Sequence, residues 1–190
     1  MARRKTITRD QILSATYEIV RTEGFSGFTA RNIAFRMNCS TQPIYLEFKN
    51  MDELKGEVCK QIKSYLDKKI FMPKLTNHPF LDAQLNYIHL AVEEPVLFRT
   101  LFLENHQGKE WIRAYSSKYF MELINQDPNY SDQTDEMKEI ICTQVWIAST
   151  GIGSLRAGQM IHPDDEAIRE FLQRITENAK SHKLDALFVS

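Results

Sequence analysis

The stretch Ser40 to Phe48 reads Ser-Thr-Gln-Pro-Ile-Tyr-Leu-Glu-Phe and holds the side chains best suited to recognising another molecule. Ile44 and Phe48 are four residues apart, so on a helix they share one face and pack inward. Thr41, Gln42 and Tyr45 then face out. A glutamine amide can bond bidentately to adenine N6 and N7, and a threonine methyl can meet the methyl of thymine. Pro43 falls in the first turn, where its missing N–H costs little. Ser40 is the expected N-cap, its hydroxyl accepting from an otherwise unpaired backbone N–H. The stretch reads as a short helix shaped for a DNA major groove.

The elements that must position it are legible on both sides. A helix-like segment runs from Thr29 to Met37, with Ile33, Ala34 and Met37 on its buried side, and Asn50 starts another helix. Only Asn38-Cys39 remains between the first two, enough for a tight turn. Helix, tight turn and short helix outline a helix-turn-helix, whose second helix reads bases near its N-terminal end. Asn38 suits a positive φ better than most residues other than glycine. Cys39 is expected to point inward as a small apolar side chain rather than to act as a redox sensor. Upstream, Thr8 to Gln11 forms a capping box, Ile12, Leu13, Ala15, Thr16, Ile19 and Val20 keep helical spacing, and Gly24 is the C-cap. Phe25 and Phe28 bracket the loop that follows. Asn50 and Glu53 predict a second capping box, and Leu54, Val58, Ile62, Tyr65 and Leu66 carry that helix to Met72-Pro73. Arg3, Arg4 and Lys5 precede any helix signal, as an arm able to reach phosphates or a minor groove.

Charge separates the two ends of the chain. The formal net charge is −1. Residues 1–70 hold 13 Lys and Arg against 8 Asp and Glu, a net of +5, and residues 71–190 hold 11 against 17, a net of −6. A basic front on an acidic body predicts that only the front meets a polyanion. Hydrophobic residues make up 43% and charged residues 26%, as in soluble globular proteins. No apolar run approaches the roughly 18 residues a membrane span needs. The basic start lacks the apolar core of a secretory signal. Cys39, Cys59 and Cys142 are odd in number and far apart, which fits neither a disulfide framework nor a metal site. The expected home is the cytoplasm, with no cofactor and no metal.

After Pro73 to Pro79, the best candidate boundary, the pattern is all helix: Phe80 to Glu93, Pro95 to Leu103, Lys109 to Ile124, about Asp132 to Gly158, and Pro163 to about Lys183. No strand alternation of useful length appears, so the fold class is all-α. The domain reading is a head at 1–52 with its recognition helix at about 40–48, a connecting helix at 53–72, and a helical body at 73–190. Tyr87, Phe98, Phe102, Trp111, Tyr115 and Trp146 are the candidates to line a ligand pocket in that body, although aromatics at helical spacing are more often plain core. Tyr119 and Phe120 add to the same density. His89, His106 and His162 sit at no metal-binding spacing. Gly151, Gly153 and Gly158, with Ala148, Ser149 and Ser154, form a small-residue stretch. Paired with Ile168, Phe171, Leu172 and Ile175, it predicts a dimer interface built from the last two helices of each subunit, or else a kinked helix packed within one chain.

The runs Thr29-Ala-Arg-Asn-Ile-Ala and Asn38 to Leu54 resemble the DNA-binding head of the tetracycline-repressor (TetR) family, over roughly residues 8–58. Glu94 to Phe102 and Trp146 to Gly158 are similar, less specifically, to its C-terminal domains. The resemblance implies an all-helical homodimer that represses transcription and leaves its operator when a small molecule fills the body. It matches Tyr45 to a phosphate contact, Thr41 and Gln42 to the base-reading face, and Thr29 to the cap of the second helix, touching the DNA backbone. The chain departs from the family at Asn38, where glycine is usual, and at Met51, where a phosphate-binding lysine is usual and Lys49 stands two residues earlier. Alternatives from other classes are a DNA-binding dimer without effector, a helix-turn-helix that meets protein, and an enzyme. The last lacks a nucleophile pair, phosphate loop or metal motif.

Overall fold

A computed structural model describes residues 7–71, 76–105 and 110–181, and every regular element among them is helical. Helix α1 spans Arg9–Glu23. Thr8 Oγ1 accepts from the Gln11 N–H at 3.3 Å, and Gln11 Oε1 accepts from the Thr8 N–H at 3.1 Å, so the capping box closes as expected. Gly24 ends the helix at φ 75° and donates its N–H to the Val20 carbonyl. A 3₁₀ turn at Phe25–Gly27 leads into α2, Ala30–Arg36, whose first turn is capped by Thr29 Oγ1 accepting from the Asn32 N–H at 3.1 Å. Asn38 turns the chain at φ 52°, in the left-handed region anticipated for it. Helix α3 is Gln42–Glu47, and α4 is Met51–Leu66 followed by a π turn at Asp67–Phe71.

Two caps differ from expectation. Ser40 does not cap α3: Thr41 is the N-cap, already helical at φ −73° and ψ −15°, with no side-chain bond. The reason is that little remains to be capped. Pro43 has no N–H, and the Ile44 N–H is taken by the Thr41 carbonyl at 3.1 Å. At α4, Asn50 Oδ1 accepts from the Glu53 N–H at 2.9 Å, but the Glu53 carboxylate accepts from the Lys49 N–H at 2.7 Å instead of closing on Asn50. The second box is thus shifted one residue upstream.

The body comprises α5 (Pro79–Glu93), α6 (Pro95–Phe98) with a π turn at Arg99–Leu103, α7 (Glu110–Gln126), α8 (Asp135–Ala157) and α9 (Asp165–Ser181). A 3₁₀ turn at Pro128–Tyr130 links α7 to α8. Two helices begin later than their sequences suggest. Thr134 Oγ1 caps α8 at the Met137 N–H, and Asp164 Oδ1 accepts from the Ala167 N–H, so Asp132 and Pro163 stay outside the helices. The expected stop at Met72-Pro73, the start at Lys109 and the end at Lys183 lie outside the described residues.

Two packing features organise the molecule. Leu54, Val58, Ile62, Leu66 and Ile70 recur every four residues, each 1% exposed or less, so the α4 segment joins the core of the head to that of the body. Each such side chain contributes about 1.5–3 kcal/mol by leaving water. Helix α5 is the hub of the body, buried without a break from Phe80 to Ile88 and again at Leu90 and Ala91. Helix α8 lies against it so closely that a Cβ on Gly153 would come within 2.9 Å of the Ala91 Cβ. Gly153, Ser149, Ile168 and Leu172 therefore pack within the chain, whereas Gly151 is open and Phe171 is 51% exposed. The small-residue stretch serves the chain's own core on one side and leaves another side uncovered.

Candidate functional site

Helices α1, α2, α3 and α4 set the pose of the recognition segment. Ile33, Ala34, Ile44 and Phe48 are buried, which turns Thr41, Gln42, Tyr45 and Lys49 outward and leaves Pro43 half-buried. Arg9 on α1 clamps the far end of α3. Its guanidinium lies 4.0 Å from the centre of the Phe48 ring, donates to the Glu47 carbonyl at 2.5 Å, and pairs with Glu53 at 2.8 Å. The Lys49 backbone N–H and the Arg9 guanidinium hold the Glu53 carboxyl below the usual carboxylate range. Arg36, pairing with Glu23, and Asn32, donating to it at 2.8 Å, hold the Glu23 carboxyl low in the same way and brace α2 against the end of α1. Met51 packs against the core, so the position where the family carries lysine is an apolar contact here. Arg3 and Arg4 lie outside the described residues.

In the body, four of the six aromatic candidates come together. Tyr87 lies edge-on to Phe98 and Phe102, with ring centres 5.0 and 4.8 Å away, and Phe120 is 6.2 Å off. Its hydroxyl accepts from Trp146 Nε1 at 3.3 Å and sits 3.1 Å from Thr150 Oγ1. Thr150 Oγ1 already donates to the Trp146 carbonyl at 2.8 Å, so Tyr87 is the donor to Thr150. Burial pushes the Tyr87 phenol up to about 12. Trp111 and Tyr115 lie along α7 with Tyr119, where Tyr115 bonds Asp67 and the Lys63 ammonium lies 4.7 Å from its ring centre. The expected pocket residues thus gather partly around Tyr87 and partly along α7.

No family model and no curated protein matches the sequence. Solved structures do match. A protein of Vibrio parahaemolyticus named for the TetR family of transcriptional regulators superposes with a TM-score of 0.65 at 17% identity, covering 90% of this chain and 97% of its own. A TetR-like transcriptional regulator from Rhodococcus sp. RHA1 superposes at 0.62 and 16% identity, over 95% and 100%. The fold is that of TetR-family regulators.

In this TetR-like fold α1 also meets the body directly, beside α6. Arg21, in the last turn of α1, pairs through both oxygens with Glu94 between α5 and α6, at 2.8 and 3.0 Å. Beside it a Cβ on Gly24 would come within 2.6 Å of Thr100 Oγ1. Tyr17 and Tyr65 pack edge-on at 6.4 Å, and burial first of all pushes the Tyr17 phenol up to about 12.

Several residues escaped the sequence reading. Phe35 and Leu46 are 80% and 76% exposed although large and apolar. Gln84 is fully buried on the hub helix, and among the described residues neither its amide oxygen nor its nitrogen has a hydrogen-bond partner; the hydroxyl of the fully buried Ser149 has none there either. Helical spacing places Gln84 on the same α5 face as Tyr87, Ile88 and Ala91, toward α8. Only the glutamine among apolar neighbours could have signalled it. A recess of about 180 Å³ is lined by Lys69, Asn86, His89, Leu90 and Glu93, away from the aromatic clusters. His89 bonds Asp165 at 2.9 Å, His162 is exposed, and His106 lies outside the described residues. Among the described residues no group of three or more His, Cys, Asp or Glu could hold a metal ion, and no helix is long and apolar enough to cross a membrane.

Proposed function

We propose that this chain is a DNA-binding transcriptional regulator, a cytoplasmic repressor that binds a pseudo-palindromic operator as a homodimer and responds to a small-molecule effector. The observation that carries the reading is the outward set on α3. Gln42 and Thr41 are offered to base edges, and Tyr45 and Lys49 to phosphates, on a head whose pose Arg9 braces. The basic front supports a polyanionic partner. Pro43 shapes the first turn, and Thr29 stands at the N-terminus of α2 beside the backbone path. Dimerisation is supported by the open side of α8 and α9, where Ile147, Leu155 and Phe171 remain exposed. One short helix reads too few bases for useful specificity, so two half-sites are needed.

An effector among Tyr87, Phe98, Phe102 and Trp146 would act through the contact of α1 with the body. Helix α5 carries Tyr87 and ends at Glu93, next to Glu94, so a ligand that displaces Tyr87 strains the contacts of Arg21 and Gly24 with the body. Gln84 and Ser149, unpaired among the described residues, favour this ligand-responsive form. The satisfied bonds of Tyr87 favour the second reading, in which the body only dimerises.

Selection of bound sequences from a random duplex pool, at low and moderate salt, tests the function. Enrichment of an inverted repeat with half-sites about one helical turn apart is expected. No enrichment at either salt, with binding that does not fall as salt rises, would point to a protein partner.

A further inference from the structure

We infer that Leu46 is a further specificity-determining residue that reads the 5-methyl group of a thymine beside the base read by Gln42; this rests on the DNA-binding function proposed above. Leu46 is 76% exposed on a six-residue helix whose other outward side chains are hydrogen-bonding or charged. Two residues from the buried Ile44 and four from Gln42, it stands at the pole of the outward face, one turn from Gln42. Four residues advance about 6 Å along the helix, close to two base-pair rises of about 3.4 Å. A side chain so placed meets a base edge within two pairs of the one that Gln42 reads. Leucine has no donor or acceptor, and the only apolar group that a major-groove edge presents is the thymine methyl. Arg9 holds the adjacent Glu47 carbonyl at 2.5 Å and stacks on Phe48, so Leu46 is presented from a fixed backbone.

The test uses the full chain and the duplex enriched by selection. Each thymine of a half-site is replaced singly by deoxyuridine, which removes the methyl and nothing else. For wild type, one position is expected to weaken binding about fourfold in one half-site and about fifteenfold in both, the equivalent of about 0.8 kcal/mol per buried methyl. Leu46→Ala should bind the thymine and uracil duplexes equally, as should Leu46→Gln, which keeps the length of the side chain. Phe35→Ala, which removes an equally exposed apolar group from α2, should keep the discrimination. Tolerance of uracil at every position by wild type, or discrimination that survives in both Leu46 variants at every position where wild type shows it, would overturn the assignment while leaving the DNA-binding function intact; a position read by the Thr41 methyl keeps its discrimination in both variants. Loss of self-association by Leu46→Ala without DNA would overturn it by placing the residue at a protein contact. Failure to enrich any duplex would overturn the function and this reading together.

Discussion

Gln42, Tyr45 and Gln84 are distinguished by what surrounds them. Gln42 and Tyr45 stand in solvent on one face of α3 and differ in what they offer: an amide whose oxygen and NH2 match an adenine edge, or a phenol that suits a phosphate. Tyr45→Ala is expected to weaken binding across all sequences, whereas Gln42→Ala should chiefly flatten preference at one position by about 1–3 kcal/mol. Repeating the duplex selection with each variant checks the sorting, and equal loss of preference in both would refute it. Gln84 is the opposite case, an amide with no solvent and, among the described residues, no partner. Leaving a buried polar group unsatisfied costs about 1–3 kcal/mol. Gln84→Leu is therefore expected to stabilise the protein by about that much in urea unfolding. A destabilised variant would mean that the amide has an internal partner such as a bound water.

Elements of the head are held by charge placed at their ends. Glu23 and Glu53 bind α2 and the α3–α4 corner, and both carboxyls are lowered in the fold, the first chiefly by Arg36 and the second chiefly by the Lys49 N–H. A depressed carboxylate contributes stability that is present above its unfolded value and is lost as pH falls through the folded value. The ordinary glutamate value is 4.5, so the contribution should be complete at neutral pH and decline below about pH 4.5. Melting of wild type and Glu53→Gln across pH 3–7 measures it: the difference should be greatest near neutrality and vanish in acid. A pH-independent difference would show that the carboxylate charge has no part in it.

At the scale of the whole molecule, the contact of α1 with the body and one uncovered side matter most. Gly24 combines φ 75° with a 2.6 Å approach to Thr100, so Gly24→Ala strains its own backbone and pushes the head from the body. A loss of at least about 1 kcal/mol is expected in denaturant unfolding, and an unchanged midpoint would show that Thr100 yields freely. On the uncovered side, Phe171→Glu places a charge where the dimer reading requires apolar contact. Light scattering after size exclusion should shift from two subunits to one, with little change in monomer stability because Phe171 is half in solvent already. An unchanged dimer would place the interface elsewhere.

Local chemistry explains how much was legible in the sequence. The capping box at Thr8, the turn at Asn38 and the inward pair Ile44 and Phe48 depend on residues within a few positions of one another, and helical periodicity records them directly. So does the outward placement of Thr41, Gln42 and Tyr45, which follows once the inward face is known. Ser40 failed as a cap because a single proline and one backbone bond had already removed the need. Residues far apart in sequence were decided only by tertiary structure. Which of Gly151 and Gly153 meets α5, which of the six aromatics gather around Tyr87, and that Arg21 finds Glu94 depend on how helices from distant parts of the chain cross. Periodicity gives each helix its apolar stripe, but not the neighbour that covers it, because that choice is made by packing the whole chain at once.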